Sequence, residues 1–257
     1  MLKRLRYYYN WYINKTIFPF FEFLSRKKIR KYSDLVTGIV LDIGCGDKPY
    51  KGLFRNAKKY IGTNSEDYYQ GNLFFKPGPE DYIVNDGCNL PFSDNSFDSV
   101  LNFQVLPVFE SPELFFKEVY RVLKPGGYFF LSTDFLYPLW NNPKNFFRAT
   151  RYGLELLGKK NGFKVVSIEA YGGFWIMVAR NFHKYLIRQL AKFVSSSKKE
   201  KHFIKKIIKQ IRLIFWILLV PFIPLLVNLS YLIFYILDII ARDEEFTTNY
   251  FAVLIKE

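Results

Sequence analysis

The sequence predicts an α/β fold with a mostly parallel sheet, and three observations support that prediction. Short apolar runs alternate with polar, helix-compatible segments between Gly38 and Glu169. A glycine-rich turn directly follows the first apolar run, and a later segment carries signals for both ends of a helix. Ligands of open parallel sheets bind at the carboxyl ends of the strands, so the candidate site residues are those that follow each strand.

The predicted strands are short apolar runs bounded by polar or glycine-containing stretches. In chain order they are Ile39–Ile43, Tyr60–Thr63, Tyr82–Asn85, Phe97–Asn102, Tyr128–Ser132 and Val165–Glu169. Residues Thr247–Glu257 have the composition of a further strand.

The segment that begins at Ser111 predicts a helix. Ser111 is a candidate cap, Pro112 suits the first helical turn, and Pro125–Gly127 stops the helix. Its apolar side chains form a stripe at helical spacing, made of Leu114, Phe115, Val119, Val122 and Leu123.

Positive charge is concentrated in two blocks of a chain whose formal net charge is +14. Residues 1–31 contain nine Lys or Arg against one acid, and residues 184–212 contain ten against one acid. Such blocks indicate a polyanionic partner, either nucleic acid or an anionic lipid surface. The neighbouring residues are Phe, Tyr, Ile and Trp rather than Gly, Ser or Asn, which favours lipid. The amino-terminal segment lacks a small-residue cleavage site and predicts aromatic-rich helices rather than a secretion signal.

Cysteine and histidine are scarce, with two residues of each type. Cys45 and Cys88 cannot form a disulfide framework, which suits a reducing compartment. His183 and His202 are predicted to be surface residues, and no metal-ligand cluster is visible, so we expect no metal.

Four motifs follow one another in the central part of the chain. Residues 40–46 read VLDIGCG, residues 90–98 read LPFSDNSFD, residues 121–127 read RVLKPGG and residues 143–150 read PKNFFRAT. Pro49 stands where a dinucleotide fingerprint would need a third glycine, which disfavours NAD. Over about residues 36–173 the motifs resemble a class I S-adenosylmethionine-dependent methyltransferase with a type 11 methyltransferase domain. The resemblance is closest to a branch associated with surface-polysaccharide and lipid-linked glycan synthesis.

The resemblance implies a Rossmann-like seven-stranded sheet and S-adenosylmethionine as cofactor. The implied cofactor-binding residues are Asp42, Gly44, Cys45 and Gly46 for the methionine part, Asp86, Gly87 and Cys88 for the adenine, and Asn102 and Gln104 beneath the sulfonium. Asn64 replaces the acid that usually accepts hydrogen bonds from the ribose hydroxyls. An amide can accept from one hydroxyl and donate to the other, so binding should weaken but survive. Glu66 or Asp67 is an alternative ribose ligand, and Asp86 has the alternative role of a turn cap.

The candidate catalytic residues are Asp134, Tyr137 and Arg148. Methyl transfer from a sulfonium requires alignment and exclusion of water, and an alcohol acceptor also requires a base. Asp134 follows the fifth strand and is the best-placed base, although such a loop residue is often a cap. Arg148 could hold an acceptor phosphate or carboxylate, or tie its loop to a backbone carbonyl. Val108 stands where many relatives carry a histidine, so no general base can lie there.

An apolar run over residues 213–237 contains no charged side chain. If the family's sheet is complete, Asn249–Lys256 is its last strand, antiparallel beside the strand that ends near Glu169. The chain must then return to the side that it left, and the run is too short to cross a bilayer twice. Pro221 and Pro224 divide the run, which predicts a helical hairpin that dips into one leaflet beside the basic block. The alternative is a buried helical pair that packs on the domain.

The sequence thus predicts four segments. They are a basic aromatic segment (1–35), a cofactor-binding core (36–173), a helical membrane-associating insertion (174–245) and a final strand (246–257). The predicted function is O-methylation of a lipid-linked sugar or glycolipid at the cytoplasmic face of an anionic membrane, with a quinone-type lipid as the second acceptor. A catalytically inactive scaffold, suggested by Asn64 and Val108, is an alternative, and nucleic-acid methylation is a third, disfavoured class.

Overall fold

The computed structural model describes residues 19–71, 77–78, 81–140, 143–196, 223–241 and 243–257. Its chain divides into two compact units. We call the part made of Ser25–Tyr171 and Thr247–Glu257 the sheet unit, and the part made of Met1–Leu24 and Gly172–Phe246 the helical unit.

The sheet unit is built on a seven-stranded sheet with the order β3-β2-β1-β4-β5-β7-β6. The strands are β1 (Gly38–Ile43), β2 (Ala57–Asn64), β3 (Asp81–Ile83), β4 (Phe97–Phe103), β5 (Leu123–Asp134), β6 (Phe163–Tyr171) and β7 (Asn249–Lys256). The first five strands pair in parallel, and β7 lies antiparallel between β5 and β6. The predicted Rossmann-like sheet and its antiparallel last strand are confirmed.

Six helices are described. They are α1 (Pro19–Tyr32), α2 (Glu66–Gly71), α3 (Pro112–Val122), α4 (Arg151–Lys160), α5 (Phe174–Ser196) and α6 (Ile223–Ile240). Short 3-10 turns cover Ser33–Leu35, Lys51–Leu53 and Leu106–Val108.

The core of the sheet unit is rich in aromatic side chains from α3 and β5. Phe115 and Phe116 are fully buried, and their ring centroids lie 6.1 and 5.5 Å from that of Phe129. Burial of one such side chain stabilises the fold by about 1.5–3 kcal/mol. The predicted stripe was wrong at Leu114, which is 54% exposed, because the helix turns Phe116 inward instead. Ser111 occupies the cap position as predicted, but its side chain makes no cap hydrogen bond.

The inserted residues leave and re-enter the sheet at one point. The hydroxyl groups of Thr247 and Thr248 both donate to the carbonyl oxygen of Tyr171, at 3.0 and 3.1 Å. Tyr171 ends β6, and Thr248 precedes β7. The chain therefore returns to the strand end that it left.

Part of the amino-terminal basic block is used inside the sheet unit. Lys28 and Lys31 form ion pairs of 2.6 and 2.5 Å with the carboxylate of Glu169. Arg26 donates to the carbonyl oxygen of Pro49 at 2.6 Å. These cations hold α1 to the sheet.

The helical unit contains the apolar helix α6, whose one acid has a structural role. The carboxylate of Asp238 accepts hydrogen bonds from the backbone N–H groups of Gly173 and Trp175, at 3.0 and 3.2 Å. It thereby caps the start of α5. His183 was predicted to lie on the surface but is buried, and its Nε2 lies 2.9 Å from the hydroxyl of Ser230. Burial lowers the pKa of His183.

Within the described ranges, no helix has both the length and the apolarity needed to cross a membrane. The first part of the predicted leaflet hairpin, residues 213–222, and His202 lie outside the described residues. The second part of the apolar run lies in α6, where Pro224 occupies the first turn, a position that helices tolerate. The hairpin itself stays a prediction.

Candidate functional site

The turn after β1 brings backbone close to the place where a ligand of this fold would lie. Gly44 and Gly46 have φ angles of +72° and +56°, which side-chain-bearing residues rarely adopt. A Cβ atom on Gly44 would lie 2.6 Å from a methyl group of Val105. The backbone N–H groups of Gly44 and Cys45 donate to the carbonyl oxygen of Thr63, at 2.8 and 3.0 Å, which fixes the turn.

Two buried acceptors adjoin this turn. The Oδ2 atom of Asp42 accepts the hydroxyl hydrogen bond of Tyr60, and Nδ2 of Asn102 donates to the carbonyl oxygen of Ile43 at 3.0 Å. The Oδ1 atoms of Asp42 and Asn102 are buried, with no hydrogen-bond partner in the described parts of the chain. Burial raises the pKa of Asp42 to about 7. Unsatisfied buried acceptors require an explanation, and the ammonium of an amino-acid-like ligand would supply donors.

Asn64 has a role that the sequence did not indicate. Its Oδ1 accepts from the backbone N–H of Gly46 at 2.9 Å, and its Nδ2 donates to the carbonyl oxygen of Gly46 at 3.1 Å. The same Nδ2 lies 3.3 Å from the sulfur of Cys45. The amide thus holds the glycine turn in place, and its contact with a ribose stays a prediction. Burial raises the pKa of the Cys45 thiol to about 12, so this sulfur stays protonated.

The residues predicted to meet the adenine follow β3. The carboxylate of Asp86 accepts from the backbone N–H of Cys88 at 2.8 Å, which is the alternative role of a turn cap. Gly87 is buried, and a Cβ atom there would lie 2.5 Å from the ring of Phe109. Asp86 itself is exposed, and its contact with adenine stays a prediction.

Gln104 follows β4 with a φ angle of +65°. Its Nε2 donates to the hydroxyl oxygens of Ser132 and Tyr171, at 3.0 and 2.9 Å. Its Oε1 accepts from Nδ2 of Asn249 at 2.9 Å. The predicted cofactor residue is therefore also the centre of a group of side chains that joins the ends of four strands.

The candidate catalytic residues Asp134 and Arg148 are brought together. Asp134 is buried, with 3% of its surface exposed. Its Oδ2 accepts a hydrogen bond from the indole N–H of Trp140 at 2.8 Å. Nη1 of Arg148 lies 3.6 Å from the same oxygen. The carboxylate of Asp134 is thus one partner of Arg148, and the alternative role of Arg148, a bond to a backbone carbonyl, stays a prediction. Tyr137 is half-buried in the following loop.

The loop over residues 143–150, which we call the strap, is attached to residues that follow three strands. Lys144 forms an ion pair of 2.6 Å with Asp67, after β2. The backbone N–H groups of Phe146 and Phe147 donate hydrogen bonds to the carbonyl oxygen of Pro107, which follows β4, at 2.8 and 3.3 Å. Arg148 pairs with Asp134 at the end of β5, as described above. The strap can therefore help to exclude water from this edge of the sheet.

In the described parts of the chain, no group of three or more His, Cys, Asp or Glu side chains could hold a metal ion.

Comparisons with known proteins agree with this geometry. Residues 41–131 match the family described as "Methyltransferase domain". The chain is 29% identical over 154 residues to the sterol 24-C-methyltransferase erg6 of Aspergillus fumigatus, with 54% of this chain and 40% of the relative covered. It is 44% identical over 122 residues to a fatty-acid O-methyltransferase of Mycolicibacterium smegmatis, with 43% and 44% covered. A phthiotriol/phenolphthiotriol dimycocerosates methyltransferase of Mycobacterium tuberculosis is 49% identical over 49 residues, with 19% and 18% covered. The chain spans less than half the length of each of these relatives.

Solved structures share the fold at low sequence identity. A protein of Galdieria sulphuraria described as a sarcosine dimethylglycine methyltransferase has a TM-score of 0.52 at 15% identity, with 92% of this chain and 84% of that chain covered. The cyclase SpnF has a TM-score of 0.50 at 17% identity, with 89% and 79% covered. These likenesses show the fold alone, since one fold supports different reactions.

The sheet order and the glycine turn define the class I methyltransferase fold. Residues 41–131 match the methyltransferase domain family, and together with the sheet order this match supports S-adenosylmethionine as the cofactor. The acceptor oxygens of Asp42 and Asn102 and the glycine turn fit the amino-acid part of that cofactor.

Proposed function

We propose that this protein methylates a lipid acceptor at the surface of an anionic membrane, with an oxygen of a lipid-linked sugar or glycolipid as the methylated atom. The observation that carries the lipid assignment is that the three relatives named above are a sterol, a fatty-acid and a dimycocerosate methyltransferase. The glycan part rests on the resemblance of the four sequence motifs to the surface-glycan branch.

The chemistry assigns separate tasks to the residues of the sheet unit. S-adenosylmethionine supplies an activated methyl group on a sulfonium. Asp42 and the glycine turn bind its amino-acid part, and the strap reduces access of water. The buried carboxylate of Asp134 can take the proton of an acceptor hydroxyl. The guanidinium of Arg148 lies 3.6 Å from that carboxylate.

An exposed apolar face on α6 supports membrane association. Eight large aliphatic side chains on this helix are 48–75% exposed, and we call them the lipid face: Leu225, Leu226, Leu229, Leu232, Ile233, Ile236, Ile239 and Ile240. Their spacing places them along one side of the helix, whereas Val227 and Tyr231 are buried. The basic block of residues 184–212 precedes this helix in the sequence. An apolar helix face that follows a basic block in the sequence fits an anionic bilayer surface.

The test is incubation of the full chain with membrane extract and S-adenosylmethionine labelled in its methyl group. We expect label in the lipid fraction, in species that lose it on cleavage of a methyl ether or ester. Label confined to protein or nucleic acid would contradict the proposal. Calorimetry with S-adenosylhomocysteine separates the remaining alternative, because an inactive scaffold that has lost the cofactor site would release no heat.

A further inference from the structure

Asn249, the first residue of β7, lies far beyond the residues that match the methyltransferase domain family. It is fully buried. Its Nδ2 donates both to Oε1 of Gln104 and to Oδ1 of Asp134, each at 2.9 Å. A side-chain amide has two N–H donors, so both are used and the orientation of this amide is fixed.

We call Gln104, Ser132, Asp134, Tyr171 and Asn249 the amide network. It joins residues at the ends of β4, β5 and β6 to the start of β7. Gln104 adopts a left-handed backbone conformation, which is strained for a residue with a side chain. Strain of this kind persists only where the surroundings hold the residue in place, and it concentrates at functional sites.

The network and Trp140 together hold both oxygens of the Asp134 carboxylate. Asn249 donates to Oδ1, while the indole N–H of Trp140 donates to Oδ2 at 2.8 Å. The carboxylate therefore has one orientation relative to the strand ends. A displacement of about 1 Å in a reacting group can lower a rate about 100-fold.

We propose that Asn249 is a positioning residue for methyl transfer, which orients the Asp134 carboxylate toward the acceptor and holds Gln104 beneath the cofactor site. This inference rests on the proposed function. It assigns a role to a residue that is separated from its partners by 145 and 115 positions in the sequence.

The experiment compares Asn249→Leu with Lys256→Met in the full chain. Lys256 anchors the opposite end of the same strand, and its ammonium donates to Asn95, Tyr120 and Leu123 at 2.9, 2.7 and 2.8 Å. Both variants weaken β7, but only the first removes a hydrogen-bond donor from Asp134. We expect Asn249→Leu to lower kcat about 10–100-fold with less than a threefold change in the KM for S-adenosylmethionine. Lys256→Met should keep kcat within twofold once the folded fraction is taken into account.

A second measurement does not depend on turnover. The indole N–H resonance of Trp140, assigned with Trp140→Phe, reports the hydrogen bond to Asp134. We expect this resonance to shift in Asn249→Leu and to stay in place in Lys256→Met. An unchanged resonance in Asn249→Leu, or a shifted one with kcat unchanged, would overturn the inference. A wild-type chain that labels no lipid would overturn the proposed function and the transfer role with it, and the resonance would then show whether the network itself still orients Asp134.

Discussion

The core of the sheet unit and helix α6 of the helical unit differ in the exposure of their large apolar side chains. In the sheet unit, phenylalanines such as Phe115, Phe116 and Phe129 are fully buried. In the helical unit, α6 leaves the lipid face exposed. Monomeric proteins in water rarely expose a contiguous apolar surface of this kind unless it contacts a partner. We propose that this difference reflects two surroundings, water at the sheet unit and lipid along α6.

The polar side chains of the two units differ as well. At the carboxyl ends of the strands, amides and carboxylates bond to one another and to the glycine turn. On α6, the carboxylate of Asp238 is used to cap the start of α5. If the strand ends serve the chemistry and the lipid face of α6 serves attachment to a membrane, then each of these two functions can be removed without the other.

The largest effect should come from a side chain added to the glycine turn. We expect Gly44→Val to lower the affinity for S-adenosylhomocysteine at least 100-fold, because its Cβ would lie 2.6 Å from Val105 at a φ angle of +72°. Calorimetry measures the affinity. Gly126→Ala is the matched control, since Gly126 has a φ angle of +74° and open space around it. Binding to anionic vesicles should be unchanged in both variants. A loss of vesicle binding in Gly44→Val would contradict the proposal that the two units carry independent functions.

The reciprocal change removes the lipid face. We expect the double substitution Ile233→Asp and Ile236→Asp to lower binding to vesicles of phosphatidylcholine and phosphatidylglycerol at least tenfold. Each isoleucine is about half exposed, and its burial in lipid would contribute about 1.5 kcal/mol or more. Co-sedimentation measures the binding, and S-adenosylhomocysteine affinity should stay as in the wild type.

Leu114→Asp is the control for this second change, because Leu114 is 54% exposed in the sheet unit. It should leave vesicle binding unaltered. Salt gives a further distinction, since an electrostatic complex with nucleic acid weakens steeply as salt rises. If 0.5 M salt released the wild-type chain from vesicles completely, the apolar face would have no part in the attachment.

Local sequence signals were sufficient to predict much of the sheet. Alternating apolar runs indicated the strands, and the glycine-rich turn after β1 lies where the sequence placed it. The sequence was less successful in predicting which face of helix α3 is buried. Phe115 and Phe116 are adjacent, and their spacing alone did not show that Phe116 rather than Leu114 is buried. A shift of one residue rotates a helical face by about 100°, so neighbouring apolar residues leave the buried face ambiguous.

The polar contacts of the candidate site were largely beyond sequence reasoning. Asp134 was a candidate because it follows a strand, and Arg148 because it lies in a motif, but their proximity depends on the path of the strap. No feature of the sequence indicated that Asn249 lies at the candidate site. Its partners are more than 100 residues away, and an asparagine at the start of a strand is ordinary. Asn64 was noticed as a departure from the family, yet its bonds to Gly46 depend on the detailed shape of the turn. Such contacts follow from tertiary structure rather than from any local pattern.

The last prediction is a pH dependence that should belong to the sheet unit alone. Burial raises the pKa of Asp42 to about 7, above its ordinary value of 3.8. The folded state therefore binds more protons than the unfolded state between these two values, and the contribution of Asp42 to stability falls as pH rises from about 4 to 7. An ammonium ligand favours the ionised carboxylate, so the affinity for S-adenosylhomocysteine should rise up to about tenfold per pH unit as pH approaches 7 and level off above it.

The variant Asp42→Asn should reduce the pH dependence of both stability and cofactor affinity. Vesicle binding should keep the pH profile of the wild type. Calorimetry and thermal unfolding from pH 5.5 to 8 measure the two effects, and an Asp42→Asn variant that retained the wild-type pH profile of cofactor affinity would show that the carboxylate does not face the ligand.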